Sequence, residues 1–223
     1  MAFNDPFDMA TTFRVEGTGK EKRHRYLALL KDGGMTFKER EKLAGKLVRK
    51  TDDEIVSRLQ KIHTNQLSET GVCSFAGDPR SILMWSHYAA SHTGICIQFE
   101  RARHYDLFAG ALPVEYSQDY PGVNWIKYVE SDFINVLLRK YIGWEYEKEH
   151  RLIDVTGANR SFEFRPEALT AVLLGCQASR SVKSLVRETL RERASAEMPA
   201  VKVYQVVKAQ KKYSLVIHSA QES

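Results

Sequence analysis

Positions 71–100 read GVCSFAGDPRSILMWSHYAASHTGICIQFE, and the rest of the chain must fold around what this stretch demands. Val72, Cys73 and Phe75 make a brief apolar run, which Gly77, Asp78 and Pro79 break with turn chemistry. Ile82, Leu83, Trp85 and Tyr88 then recur at helical spacing, and Gly94 precedes an apolar strand from Ile95 to Phe99. The pattern predicts a strand, a turn, a short helix and a second strand. Packed into this unit are Arg80, Ser81, Trp85, Ser86, His87, Tyr88 and His92. Polar groups so close to buried strands need partners or a ligand. The density therefore marks a candidate site on a rigid frame.

Residues 20–66 have a different character. Residues 21–31, 36–50 and 51–65 are charged and helical in composition, with Leu43, Leu47 and Val48 on one apolar stripe and Ile55, Leu59 and Ile62 on another. Thr51 with Glu54 forms a capping box, in which the hydroxyl and the carboxylate each satisfy a free backbone N–H. The many lysines and arginines here read either as a basic arm for nucleic acid or as a solvated helical face. Downstream, residues 112–116 read as a strand, 117–124 as a loop and 129–140 as an amphipathic helix. Residues 151–155 read as a strand with 161–164 as its hairpin partner, and 170–174 as a short buried strand. A basic helix over 181–193 and two strands, 201–208 and 213–218, close the chain. The strands at 71–75, 95–99, 151–155 and 170–174 are expected in one mixed sheet system. The class implied is α+β with a mixed or antiparallel sheet core, one domain spanning 1–223, and a helical insertion at 20–66 near the N-terminus.

Hydrophobic residues make up 43% of the 223, enough for a real core, so wholesale disorder is excluded. The net charge of +5 is compatible with a nucleic-acid or nucleotide partner and with ordinary surface cations alike. Cys73, Cys96 and Cys176 are odd in number and lack zinc spacing, so they read as small buried residues in a reducing compartment. With no run near the ~18 apolar residues of a membrane span and no signal-peptide pattern, a cytoplasmic protein with no membrane partner is expected. The opening MAFNDPFDM reads like the middle of a domain, so a first strand upstream is expected.

Glu145, Glu147 and Glu149 alternate with Trp144, Tyr146 and Lys148. On an extended backbone the three carboxylates would share a face. Neighbouring carboxylates raise one another's pKa, which suits acid–base work near neutrality. Glu149, just before an apolar strand, is best placed to project from the core into a cleft. The competing reading is a helical turn whose glutamates pair with Lys140, Lys148 or Arg151. His87 and His92 are five apart, not the i and i+4 of a helical zinc pair, and no metal is expected. Ser86 and His87 are adjacent and diverge on a helix, so they form no dyad. The glycines fit neither phosphate-loop nor dinucleotide fingerprints.

Three blocks carry a resemblance: NDPFD at 4–8, ILMWSHYAASHTGICIQF at 82–99 and WEYEKEHRLI at 144–153. They look like the signature blocks of an uncharacterised bacterial family catalogued as a domain of unknown function. The order of a strand, an Arg-Ser-x-Leu-Met segment, a helix, a strand and a later Glu heading an apolar strand is similar to ADP-ribosyltransferase toxins that modify nucleic-acid bases. That resemblance implies an ADP-ribosyltransferase-like fold, NAD as cofactor, and a nucleic-acid or protein acceptor in a toxin or phage-defence setting. It implies Glu149 as catalytic carboxylate, with Glu147 and His87 as further catalytic candidates. Arg80 and Ser81 would lie beside the pyrophosphate, with Trp85, Tyr88 or Trp144 as the aromatic wall. The first strand of that fold would precede Asn4. The alternatives are a non-enzymatic module of a defence system, with the blocks as a fold-specifying polar network, and a metal-dependent hydrolase or nuclease using His87, His92 and the Glu cluster.

Overall fold

The computed structural model describes residues 5–220; Phe3 and Asn4 of the opening block lie outside them. In chain order the first half runs β1 (Thr12–Arg14), α1 (Gly19–Leu29), α2 (Phe37–Leu47), α3 (Asp52–Glu69), β2 (Gly71–Ala76), α4 (Ile82–Tyr88), β3 (Ile95–Phe99), α5 (Tyr105–Phe108) and β4 (Leu112–Pro113). The second half runs β5 (Glu115–Ser117), β6 (Gly122–Asn124), α6 (Glu130–Leu137), β7 (Arg139–Tyr141), β8 (Glu149–Asp154), β9 (Leu169–Leu174), α7 (Arg180–Ser195), β10 (Lys202–Lys208) and β11 (Leu215–Ser219). The class is mixed α and β, with several small sheets of mixed orientation. The chain forms two compact units.

The first unit takes the residues up to Thr70 together with Glu115–Ile142. Its three long helices start in the same way: Thr18, Thr36 and Thr51 each accept an N–H three residues on, while Glu21, Glu39 and Glu54 reach back to the cap. The cap N–H and hydroxyl contacts hold the Glu21 and Glu39 carboxyls below the usual carboxylate range. The helices bury Tyr26, Ala44 and Ile55 around Trp125, with the Tyr26 and Trp125 rings 4.7 Å apart. Leu47, Val48 and Leu59 pack against this cluster as the stripes predict. Ile62 does not: it is exposed, and the next residue, His63, takes the buried place. Two parallel strand pairs, β1 with β6 and β5 with β7, complete the unit.

The second unit takes Gly71–Val114 and the residues from Gly143 onward. A four-stranded sheet of order β11-β10-β9-β3 is clad on both faces. Ala171 and Leu173 of β9 pack with Trp85 of α4 and with Ala89, the residue after that helix, on one face; Val172 and Leu174 meet Val186 and Leu190 of α7 on the other. Burial on both faces explains why LTAVLL is an unbroken apolar run rather than an alternating one. A three-stranded antiparallel sheet, β2-β8-β4, carries the candidate site.

Several expectations are corrected. The strands form two sheets, not one: β2 pairs with β8, whereas β3 pairs with β9. The helix over 129–140 ends at Leu137, because the Leu138 carbonyl accepts the Glu115 N–H and Lys140 enters the ladder opposite Tyr116. The strand over 112–116 is divided at Val114, whose N–H donates to the Glu149 carbonyl, and the loop over 117–124 contains β6. Residues 161–164 make no ladder. Cys73, expected inside, is exposed on β2, while Cys96 is half-buried and its thiol is pushed up by desolvation.

Candidate functional site

On β8 alternate residues face opposite sides. His150 and Leu152 share a face with Phe75 and Cys73 across the ladder; there Phe75 meets Phe99 and Phe108 edge-on, with centroids 6.2 and 5.7 Å apart. Glu149 and Arg151 share the other face, opposite Ala76 and Ser74. Arg151 is wholly buried and Glu149 is 4% exposed. The guanidinium grips the carboxylate with both prongs, Nε to Oε1 at 2.8 Å and Nη2 to Oε2 at 3.1 Å. The Ser74 hydroxyl donates diagonally across the ladder to Oε1. Burying two opposite charges is tolerable only with such geometry, because each leaves water at a cost of several kcal/mol.

Glu145 and Glu147 do not continue this strand. Residues Ile142–Glu147 wind as a 3₁₀ turn, and Lys148 has φ +46°, in the left-handed region. The alternating-face expectation for the three glutamates therefore fails, and the turn reading is nearer the structure. Glu145 is exposed; Glu147 and Glu149 are buried on either side of the Lys148 kink. Gly77 makes the kink possible. Its N–H donates to the Glu147 carbonyl, and a Cβ there would lie 3.0 Å from the Lys148 carbonyl oxygen. The Lys148 ammonium reaches Asp78 at 3.0 Å. The Arg80 N–H and this ammonium together hold the Asp78 carboxyl below its ordinary range.

The two polar-aromatic blocks meet. The Tyr88 hydroxyl donates to Glu147 Oε1 at 2.7 Å. The Tyr88 side chain is half exposed while its carboxylate partner is 3% exposed. Around this bond the His87 ring lies 6.2 Å from Trp144 and 6.3 Å from Tyr146, with those two 5.9 Å apart. His87, Tyr88, Trp144 and Tyr146 thus form one aromatic shelf with a buried carboxylate at its edge.

The remaining candidates lie elsewhere. Trp85 is a core residue of α4, 3% exposed, its indole N–H donating to the Pro79 carbonyl at 2.8 Å. Ser81 is the N-cap of α4, and Arg80 is exposed in the turn before it. His92 belongs to a latch: Ala90, Ser91 and His92 all have positive φ, and His92 donates its N–H to the Trp85 carbonyl and accepts the Gln177 N–H. Its Nε2 lies 3.0 Å from the Ser86 hydroxyl, which also donates to the Ile82 carbonyl. Gly175 is required beside it, since a Cβ there would come within 2.1 Å of the His92 carbonyl oxygen.

Sequence reasoning missed Ser74 and Tyr146, and took Arg151 only as a possible surface partner for the glutamates. The observed strand starts two residues earlier than the predicted 151–155, at Glu149, and the i, i+2 spacing of Glu149 and Arg151 then sets both on one face. Among the described residues no group of three or more His, Cys, Asp or Glu is placed to hold a metal ion. No helix among them is long and apolar enough to cross a membrane. No curated protein and no solved structure matches the chain. Residues 84–152, which hold the aromatic shelf and both buried glutamates, match the family described as Protein of unknown function (DUF2971).

Proposed function

We propose that the second unit is an ADP-ribosyltransferase-like module acting on NAD, with Glu147 rather than Glu149 as the reacting-centre carboxylate. The observation that carries this reading is the Tyr88–Glu147 hydrogen bond beside the His87–Trp144–Tyr146 shelf. Cleavage of the nicotinamide–ribose bond passes through an oxocarbenium-like state, and nicotinamide leaves with the bonding electron pair. A carboxylate shielded from water stabilises that cation more strongly than an exposed one, and flat rings can sandwich the nicotinamide. The acceptor, a nucleic-acid base or a protein side chain, then bonds to the ribose carbon and gives up a proton, for which His87, exposed on the shelf, is the proposed base. Arg80, at the head of α4, would hold the pyrophosphate by paired hydrogen bonds, with Ser81 next to it. Trp85 has no place in the wall, being spent on the core. The setting proposed with it is a toxin or phage-defence system.

A second reading is favoured by Glu149, both of whose oxygens are engaged by Arg151 and Ser74. It makes the network a device that specifies the fold of a non-enzymatic module. One experiment separates the two: incubate the full chain with labelled NAD and with protein and nucleic-acid acceptors, and follow nicotinamide release and label transfer. The first reading expects Glu147→Gln to lose on the order of 10²–10³ in rate while remaining folded. An unsubstituted chain that neither releases nicotinamide nor transfers label sinks it and leaves the second standing.

A further inference from the structure

We infer that the outer face of α2 is a docking surface for duplex nucleic acid, which it holds by the phosphate backbone without regard to sequence. This surface belongs to the first unit alone and is independent of the chemistry proposed for the second. At 3.6 residues per turn, Lys38, Lys42, Gly45 and Arg49 fall on one line, and Lys46 lies beside it. All five are exposed. The opposite side of the helix is the packed one, where Ala44 is buried and Leu47 and Val48 join the Trp125 cluster. Arg49 lies just past the helix, but its N–H donates to the Lys46 carbonyl at 3.3 Å and carries the turn onward.

The cations on this line remain after the nearby carboxylates have found other partners. Glu39 is committed to the helix cap, accepting the Thr36 N–H at 2.8 Å, and Glu41 pairs with Arg23 of α1. Of the acids that open α3, Asp52 is held by Lys22, while Asp53 and Glu54 lie in the first turn, where the helix dipole favours them. Arg40 turns the other way and lies over the Phe37 ring, 5.9 Å from its centroid. Among the described residues, Lys38, Lys42, Lys46 and Arg49 have no carboxylate partner.

Gly45 is an independent sign of a partner. A glycine in mid-helix weakens the helix through backbone entropy, and nothing inside the protein asks for it: a Cβ at Gly45 would meet no atom within 4 Å. What the missing side chain does supply is a gap within the cationic row, where another chain's backbone can come close to the helix. Cations four residues apart rise along the row by about 6 Å, and a partner that strings negative charges along a line fits it. Contacts to phosphates set position and carry no sequence information. An anionic membrane fits less well, because the apolar side of α2 is buried in the unit and cannot insert. A single strand fits less well too, since it needs rings for its bases, and Phe37, the one ring on α2, already carries Arg40.

The test is fluorescence anisotropy of the full chain with two short labelled duplexes of unrelated sequence, over a range of salt. Equal affinity for both is expected. With four phosphate contacts the log–log salt slope should be about −3 to −4, so affinity should fall about a hundredfold between ~50 and ~200 mM salt. Lys38→Gln combined with Lys42→Gln should reduce the size of that slope by about 2 and leave the thermal midpoint unchanged. Gly45→Gln should raise the midpoint, since glutamine is the better helix former, and yet weaken duplex binding severalfold. Misfolding cannot produce that divergence. No duplex binding at low salt, a double lysine variant that keeps the full slope, or a Gly45→Gln chain that binds as tightly as before would each overturn the proposal. So would a single-stranded oligonucleotide or phosphatidylserine vesicles bound more tightly than the duplex.

Discussion

His63 in the first unit and Arg151 in the second are both titratable side chains taken out of water, and the protein solves the problem in opposite ways. His63 sits between the rings of Phe13 and Phe133, centroids 5.7 and 5.9 Å away, with Nε2 on the Met9 carbonyl at 3.2 Å. A carbonyl only accepts, so that nitrogen carries a proton, and it is the burial of the ring that favours the neutral form. Burial pushes its pKa down, more than the Met9 hydrogen bond pushes it up. Arg151 cannot discard its proton and is matched instead by Glu149. Neutralisation costs little and leaves the group sensitive to pH. Pairing keeps the arginine's charge and makes each partner depend on the other.

The largest expected effect comes from breaking the pair on one side. Arg151→Met leaves Glu149 as a buried charge without its fork, and the loss of unfolding free energy should be about 3–5 kcal/mol. Removing both charges, Arg151→Met with Glu149→Leu, should recover most of it, since a pair replaced by apolar groups of similar volume is often neutral. Urea unfolding followed through Trp85 and Trp144, both in the second unit, measures this. A double variant as unstable as the single one would mean that the pair itself, and not its imbalance, holds the sheet.

A smaller loss should follow Arg151→Lys. Lysine keeps the charge but offers a point contact where the guanidinium makes two parallel bonds, and about 1–2 kcal/mol should go with the fork. If Arg151→Lys is as damaging as Arg151→Met, packing of the planar group matters more than its charge.

This contrast also marks how far the sequence could be read. Helices α1 to α3, β3, β9 and α7 were legible because local patterns decide them: a threonine cap, an apolar stripe, a run of branched residues bounded by glycine. The end of α6 was not, since nothing local tells Leu138 that its carbonyl will accept a hydrogen bond from Glu115. The two polar-aromatic blocks meet through Tyr88 and Glu147, a long-range contact that no local pattern records. The alternation of three glutamates misled because period 2 holds only while the backbone stays extended, and Lys148 turns left-handed where Gly77 makes room. Trp85 misled in another way. A large aromatic among polar residues is as often the side of a helix that faces the core, and here it is.

The helix caps of the first unit supply the next step down. Thr51→Ala removes the acceptor for the Glu54 N–H and half of the reciprocal pair, which should cost about 1 kcal/mol, while Thr51→Ser should be nearly silent. Hydrogen exchange in the first turn of α3 reads this locally. Protection unchanged in Thr51→Ala would assign the helix start to packing of Ile55 alone.

The smallest effect near neutral pH belongs to His63, and its sign distinguishes neutralisation from pairing. A histidine whose folded pKa lies below its unfolded value of ~6.5 binds more protons when unfolded. Its contribution is fully present above that value and is lost as pH falls toward the folded pKa. At pH near 6.5 the unfolded chain gains about 0.4 kcal/mol from half-protonation, and the loss grows below that. The first unit should therefore weaken between pH 7 and 5, seen as faster amide exchange in α3 around His63. His63→Gln keeps a donor for the Met9 carbonyl and does not titrate, so it should remove the slope attributable to this site. A first unit whose exchange in α3 is independent of pH after correction for intrinsic rates, or a His63→Gln chain that keeps the full slope, would mean that His63 is already protonated in the fold and that its burial resembles that of Arg151 after all.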